Sequence, residues 1–168
     1  FGELVYGALV EGRAVCEGYA RAMQLLLRLT GIEGTLVTGQ DQNGAAHMWN
    51  LVTIDGFNYH LDPTWDDTDD LSSHIYFNLT TEEILLTHTI DDEWNIGVDT
   101  CTAETANYYR RTGRYLDTLA RADIVAAIAA DIQAGAESIE LRFSKRAYPS
   151  ARLFVSNRSV LDAIVNEQ

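Results

Sequence analysis

Between residues 16 and 29 the apolar positions Tyr19, Ala20, Met23, Leu26, Leu27 and Leu29 recur with helical spacing, while Glu17, Arg21, Gln24 and Arg28 fill the opposite face. The pattern predicts a helix that starts at or near Cys16 and stops at Gly31. A strand is predicted over residues 36–39, ahead of the turn-forming Asp41-Gln42-Asn43-Gly44. Residues 46–54 and 57–62 then form two strand-like runs separated only by Asp55-Gly56. That dipeptide between such runs predicts a tight hairpin with a type I′ turn.

Further along, residues 63–73 hold Asp66, Asp67, Asp69 and Asp70 without hydrophobic periodicity, which reads as a solvated loop, and residues 75–79 read as another strand. Thr80-Thr81-Glu82-Glu83, placed before Ile84, Leu85 and Leu86, has the form of a capping box opening a short helix. An irregular stretch runs to about residue 114. Ile124, Ile128 and Ile132 then repeat every four positions, with Asp123 as the expected N-cap and Gly135 just past the end. Ile139, Leu141 and Phe143 alternate as a strand, and residues 149–155 and 160–165 read as two further helical segments. The expected organisation is an α+β core over residues 1–113 and a small α/β extension over 114–168.

Composition narrows the function classes. The chain has 168 residues, 46% of them hydrophobic, so a sizeable core is available. Its 25 acidic and 12 basic residues leave a formal net charge of −13, which repels polyphosphate and argues against nucleic acid as a partner. The longest apolar run, residues 124–130, is far short of the roughly 20 residues a membrane span needs. Cys16 and Cys101 cannot build a disulfide framework. The first residue is Phe1, and the last residues still read as helix, so the chain is expected to be part of a longer polypeptide.

Two places can carry chemistry. A thiol at a helix N-terminus has its thiolate stabilised by the dipole and by unpaired N–H groups, which makes Cys16 a candidate nucleophile whose own N–H can donate to an oxyanion. Gly18 beside it would let a substrate backbone approach closely. The alternative is that Cys16, like most free cysteines, is a small buried hydrophobe. In the hairpin, counting outward from Asp55-Gly56 pairs Ile54 with Phe57, Val52 with Tyr59, Leu51 with His60, Asn50 with Leu61 and Trp49 with Asp62. Met48, Val52, Ile54, Phe57, Tyr59 and Leu61 then share a core face with Asn50, and the other face presents His47, Trp49, Leu51, His60 and Asp62. Asp62 is a diagonal neighbour of His47, with side chains able to meet. A carboxylate that orients an imidazole, and an imidazole that takes a thiol proton, are what nucleophilic cysteine chemistry requires. His60 lies on the same face and competes with His47 for that place.

The blocks Ala14-Val15-Cys16-Glu17-Gly18-Tyr19-Ala20, His47-Met48-Trp49-Asn50-Leu51-Val52 and Tyr59-His60-Leu61-Asp62-Pro63-Thr64-Trp65 resemble, in order and spacing, those of the transglutaminase-like superfamily. The resemblance covers residues 8–66. It implies a papain-like core, a catalytic triad of Cys16, His47 and Asp62, and thiol acyl transfer or hydrolysis on protein or peptide amides without a cofactor. It also favours His47 over His60, and the C-terminal half resembles extensions of bacterial, often cell-surface, members. Members usually carry helical sequence ahead of the cysteine helix, and some draw an oxyanion-stabilising side chain from it; here fifteen residues precede Cys16. Trp49 and Trp65 flank the proposed pair and are expected to wall a substrate cleft. Two other readings stand beside this one: a non-catalytic binding module on the same fold, and a metal site built from His47, His60 and Asp62. The aspartates at 66–70 lack the glycine and terminal glutamate of an EF-hand loop, so no calcium site is expected there.

Overall fold

A computed structural model of the chain describes residues 2–68, 71–91, 100–136 and 139–144. The helical segments predicted at 149–155 and 160–165, and Asp69 and Asp70 of the acidic loop, lie outside the described residues. The chain divides into two compact units, Phe1–Asn107 and Tyr108–Gln168.

In the first unit a short helix α1 (Gly2–Tyr6) and one turn of π-helix (Gly7–Glu11) lead into α2 (Cys16–Leu29). Val15 is extended at the N-cap of α2, and Gly31 leaves the helix at φ 78°. Both ends fall where the sequence put them, because a glycine past the last turn takes the left-handed conformation without a Cβ clash. Three strands follow, β1 (Glu33–Asp41), β2 (Ala46–Ile54) and β3 (Phe57–Leu61). Asp55 at φ 53° and Gly56 at φ 79° make the two-residue turn, and the observed pairs from Ile54↔Phe57 to Asn50↔Leu61 match the count outward from it. A last strand, β6 (His88–Ile90), completes an antiparallel sheet of order β3-β2-β1-β6.

Between β3 and β6 the chain makes α3 (Pro63–Asp66), the paired dipeptides β4 (Asp67–Thr68) and β5 (Leu71–Ser72), and α4 (Thr81–Ile84). Thr80 caps α4 through the expected box, its hydroxyl accepting from Glu83 N–H while the Glu83 carboxylate accepts from Thr80 N–H. Two expectations fail in this segment. Residues 75–78 form turns, with Asn78 at φ 56°, and only Leu79 bridges to His60. Asp66 is buried instead of solvated, its Oδ1 accepting from Ser73 Oγ at 2.9 Å and from Tyr76 N–H at 2.8 Å. A run of aspartates says nothing about which one faces inward, and here Asp66 holds the returning chain.

The sheet is covered on both faces. Val52, Tyr59 and Leu61 pack with Met23 and Leu27 of α2 and with Ala103 and Ala106. On the other face Val37, Trp49 and Leu51 pack with Tyr76, Leu79, Ile84 and Cys101. Each fully buried aliphatic residue contributes roughly 1.5–3 kcal/mol relative to exposure. Gly39 lies between His47 of β2 and Ile90 of β6. A Cβ there would lie 1.8 Å from Thr89 O and 2.9 Å from Trp49 Cη2, so only glycine lets β6 close onto β1 over the indole.

The second unit holds α5 (Tyr108–Arg111), β7 (Tyr115–Leu116), α6 (Arg121–Gln133) and β8 (Arg142–Phe143), the two strands pairing in parallel. Leu116, Ile128, Ile139, Leu141 and Phe143 form its core, with Ile124 and Ile132 against it. The N-cap of α6 is Ala120, not Asp123, which lies in the first turn where the helix dipole favours its charge.

Gly39→Ala should destabilise the first unit by about 3 kcal/mol, the upper range for forcing an atom into a packed site. Urea unfolding measures this, and an unchanged midpoint would mean that β6 can move away from β1 without loss.

Candidate functional site

Asp62 directly follows β3, where the chain turns into α3, and its side chain is fully buried. As the N-cap of that helix its Oδ1 accepts from Thr64 N–H at 3.0 Å and Trp65 N–H at 3.3 Å, and Pro63 fills the first helical position, where no N–H is needed. Its Oδ2 faces two imidazoles. His47 Nε2 lies 2.7 Å away and His88 Nε2 lies 3.1 Å away. Burial pushes the Asp62 carboxyl up, but the hydrogen bonds and charges of His47 and His88 outweigh it, and the group sits below the usual carboxylate range. An ionised carboxylate only accepts, so both histidines donate from Nε2. In its neutral form His47 then carries its lone pair on Nδ1, and among the described residues no hydrogen bond occupies that atom.

The competition between the two hairpin histidines is decided by partners. His60 is fully buried on the same face, yet it turns away from Asp62. Trp49 Nε1–H donates to His60 Nδ1 at 3.0 Å, and His60 Nε2 lies 3.1 Å from Thr81 Oγ1, which also accepts from Cys101 N–H at 2.8 Å. Because an indole nitrogen only donates, His60 is the Nε2–H tautomer and serves Thr81 as a donor. Burial first, and then the charge His88 can carry, hold the His60 imidazole down at about 4. The set of His47, His60 and Asp62 considered as metal ligands is thus not assembled.

The structure adds His88, which lies outside every motif of the sequence. It lies on β6, opposite Asp41 of β1, and its ring is enclosed by Trp65, Trp49, His47 and Tyr76 at centroid distances of 4.6, 5.0, 5.1 and 5.6 Å. The one local hint was a glycine inside a strand, Gly39, which marks a close approach without saying by what. By residue type, His47, Asp62 and His88 are also a two-histidine, one-carboxylate donor set, with ligand atoms within 4.8 Å of one another. Their N···O separations of 2.7 and 3.1 Å are those of shared protons, shorter than the about 3.3 Å between ligands spread tetrahedrally around zinc.

The remaining expected residues fall as follows. Cys16 opens α2, partly exposed, at the helix position where its N–H has no intrahelical acceptor. Among the described residues it makes no hydrogen bond with His47. In the same first turn, Tyr19 O–H donates to the carboxylate of Asp67, immediately after α3, so the start of α2 reaches the segment that Asp62 caps. Gly18 is buried, and a Cβ there would meet Ala14 Cβ at 2.5 Å and Leu4 O at 2.9 Å. Its missing side chain serves the packing of α1 on α2 instead of a substrate backbone. Trp49 has no exposed surface, so it forms the floor beneath the histidines and not a cleft wall; Trp65 is half-buried, its ring centroid 5.8 Å from that of His47. Cys101 is a buried core residue. Residues 2–63 match the family model of the transglutaminase-like superfamily. No curated protein sequence matches the chain.

Stability should fall with acidification in two stages. His60 titrates at about 4 folded and near 6.5 unfolded, so the unfolded chain binds the extra proton between those values and the stability present above 6.5 is lost as pH drops toward 4. Asp62, depressed when folded, adds its own loss below its ordinary value of 3.8. Urea midpoints measured from pH 7 to 3 test this; a midpoint flat from 6.5 to 4 is incompatible with a neutral buried His60.

Proposed function

We propose, from the match of residues 2–63 to the family model of the transglutaminase-like superfamily, whose enzymes are of the Cys-His-Asp thiol type, that this chain performs thiol-dependent acyl transfer or hydrolysis on protein or peptide amides. The observation that carries the reading is the buried His47–Asp62 pair at 2.7 Å, which leaves His47 Nδ1 as a proton acceptor, on a chain whose matching segment also starts a helix at Cys16.

In this reading Cys16 Sγ passes its proton to His47 Nδ1 and attacks the amide carbonyl carbon. Asp62 holds the ring through Nε2 and stabilises the imidazolium that forms. The helix-start N–H of Cys16 is available to the oxyanion. Collapse of the tetrahedral adduct breaks the C–N bond, the leaving amine takes the proton back from His47 Nδ1, and a thioester remains on Cys16. Water releases the acid, whereas a primary amine releases a new amide; in either case the incoming nucleophile gives its proton to His47 and the thiol is restored.

Cys16→Ala should abolish release of ammonia or of new amine termini from a peptide library while the urea midpoint stays near wild type, and Cys101→Ala should retain the activity. His47→Asn should cost about 10²-fold or more, the lower range of a general acid–base contribution. Wild-type turnover by Cys16→Ala would remove the thiol mechanism.

A further inference from the structure

His88 has no place in a three-residue thiol mechanism, yet it shares the oxygen on which that mechanism depends. We propose that His88 is a positioning residue that acts through Asp62 to hold His47 in its Nε2–H tautomer with Nδ1 free; the proposal rests on the thiol reading for its purpose but not for its geometry.

His88 Nε2 donates to Asp62 Oδ2 at 3.1 Å, so in the neutral ring Nδ1 must accept. Thr87 Oγ1 lies 2.9 Å from that Nδ1, and Tyr76 Oη lies 3.3 Å from Thr87 Oγ1. If Thr87 gives its only hydroxyl proton to His88, then Tyr76 is the donor to Thr87, and the chain Tyr76–Thr87–His88–Asp62 runs in one direction. Its far end is a carboxylate whose other oxygen is fixed by two backbone N–H groups. With Oδ1 and half of Oδ2 occupied, the remaining lone pair of Oδ2 is left for His47 Nε2 alone. The His88 ring has no exposed surface and is boxed by Trp49, Trp65 and Tyr76, so it can neither rotate freely nor be replaced by solvent. His60, equally buried, also has a partner on each nitrogen; what distinguishes His88 is that the acceptor it serves is Asp62 Oδ2, the oxygen that also takes His47 Nε2. The arrangement parallels the partners behind metal-bound histidines, where a group one bond removed fixes tautomer and ring angle.

Two readouts on the whole chain test this. In protein labelled with ¹⁵N at histidine, His47 should show a protonated Nε2 and an unprotonated Nδ1. His88→Phe keeps an aromatic ring in the box but removes the donor, and should leave His47 averaging between tautomers. Cys16 alkylation by iodoacetamide at pH 6 should fall about tenfold, the lower range for loss of such an orienting partner. His88→Gln, which returns an N–H at similar reach, should recover most of both signals. Should His88→Phe fail to fold, Thr87→Val, which keeps the imidazole but removes the hydroxyl that donates to its Nδ1, should still shift the His88 and His47 ring nitrogens. A folded His88→Phe with wild-type His47 shifts and wild-type alkylation overturns the proposal, as do unmoved ring nitrogens in Thr87→Val. A His47 tautomer that depends on His88 in a chain whose Cys16 proves inert supports the proposal and removes the thiol reading; reactive Cys16 unaffected by His88→Phe does the opposite.

Discussion

A fully buried carboxylate held ionised sets the terms for the rest of the first unit. Withdrawing such a charge from water costs several kcal/mol unless every acceptor site is met. Asp62 meets that condition with four hydrogen bonds: two from the opening turn of α3, one from His47 on β2 and one from His88 on β6. The hairpin end, the helix start and the edge strand must therefore converge on one point. Removing any one donor would leave an unpaired lone pair in the interior, where such a group costs about 1–3 kcal/mol or more.

The sheet divides its labour by face. One face takes α2, through Val52 and Leu61 and through Asn50, whose amide donates to Ala20 O at 2.9 Å. The other carries the aromatic and imidazole rings. Two histidines on that face have opposite fates because their neighbours differ. His60 is tied between an indole donor and a threonine hydroxyl and stays neutral, whereas His47 is tied to an anion and keeps a nitrogen free. Trp49 links the two systems, since the same indole that donates to His60 stacks against His47 at 6.0 Å.

The expectations from sequence that held had local causes, although the local reading of Asp123 as the N-cap of α6 did not hold. Asp55-Gly56 admits two consecutive positive φ values, which selects the turn; the turn selects the register, and the register puts His47 diagonal to Asp62. The Thr80 box and the Gly31 stop rest on similarly short-range rules. The misjudged surroundings of Asp66 and Trp49 arose from contacts between segments distant in the chain. Nothing near Asp66 announces that Ser73 and Tyr76 return to it, and nothing near Trp49 says that the chain after residue 74 covers its face.

By itself, then, the sequence determined which residues could act as nucleophile, base and orienting acid, and, through a two-residue turn, that the last two would meet. The tertiary structure alone decided that Asp62 serves two histidines and not one, that His60 is withdrawn, and that Trp49 and Gly18 are spent on packing. The physical reason is the range of the forces. Backbone conformation is settled by a few neighbouring residues, whereas a buried carboxylate draws its donors from whatever the folded chain brings within 3 Å or so.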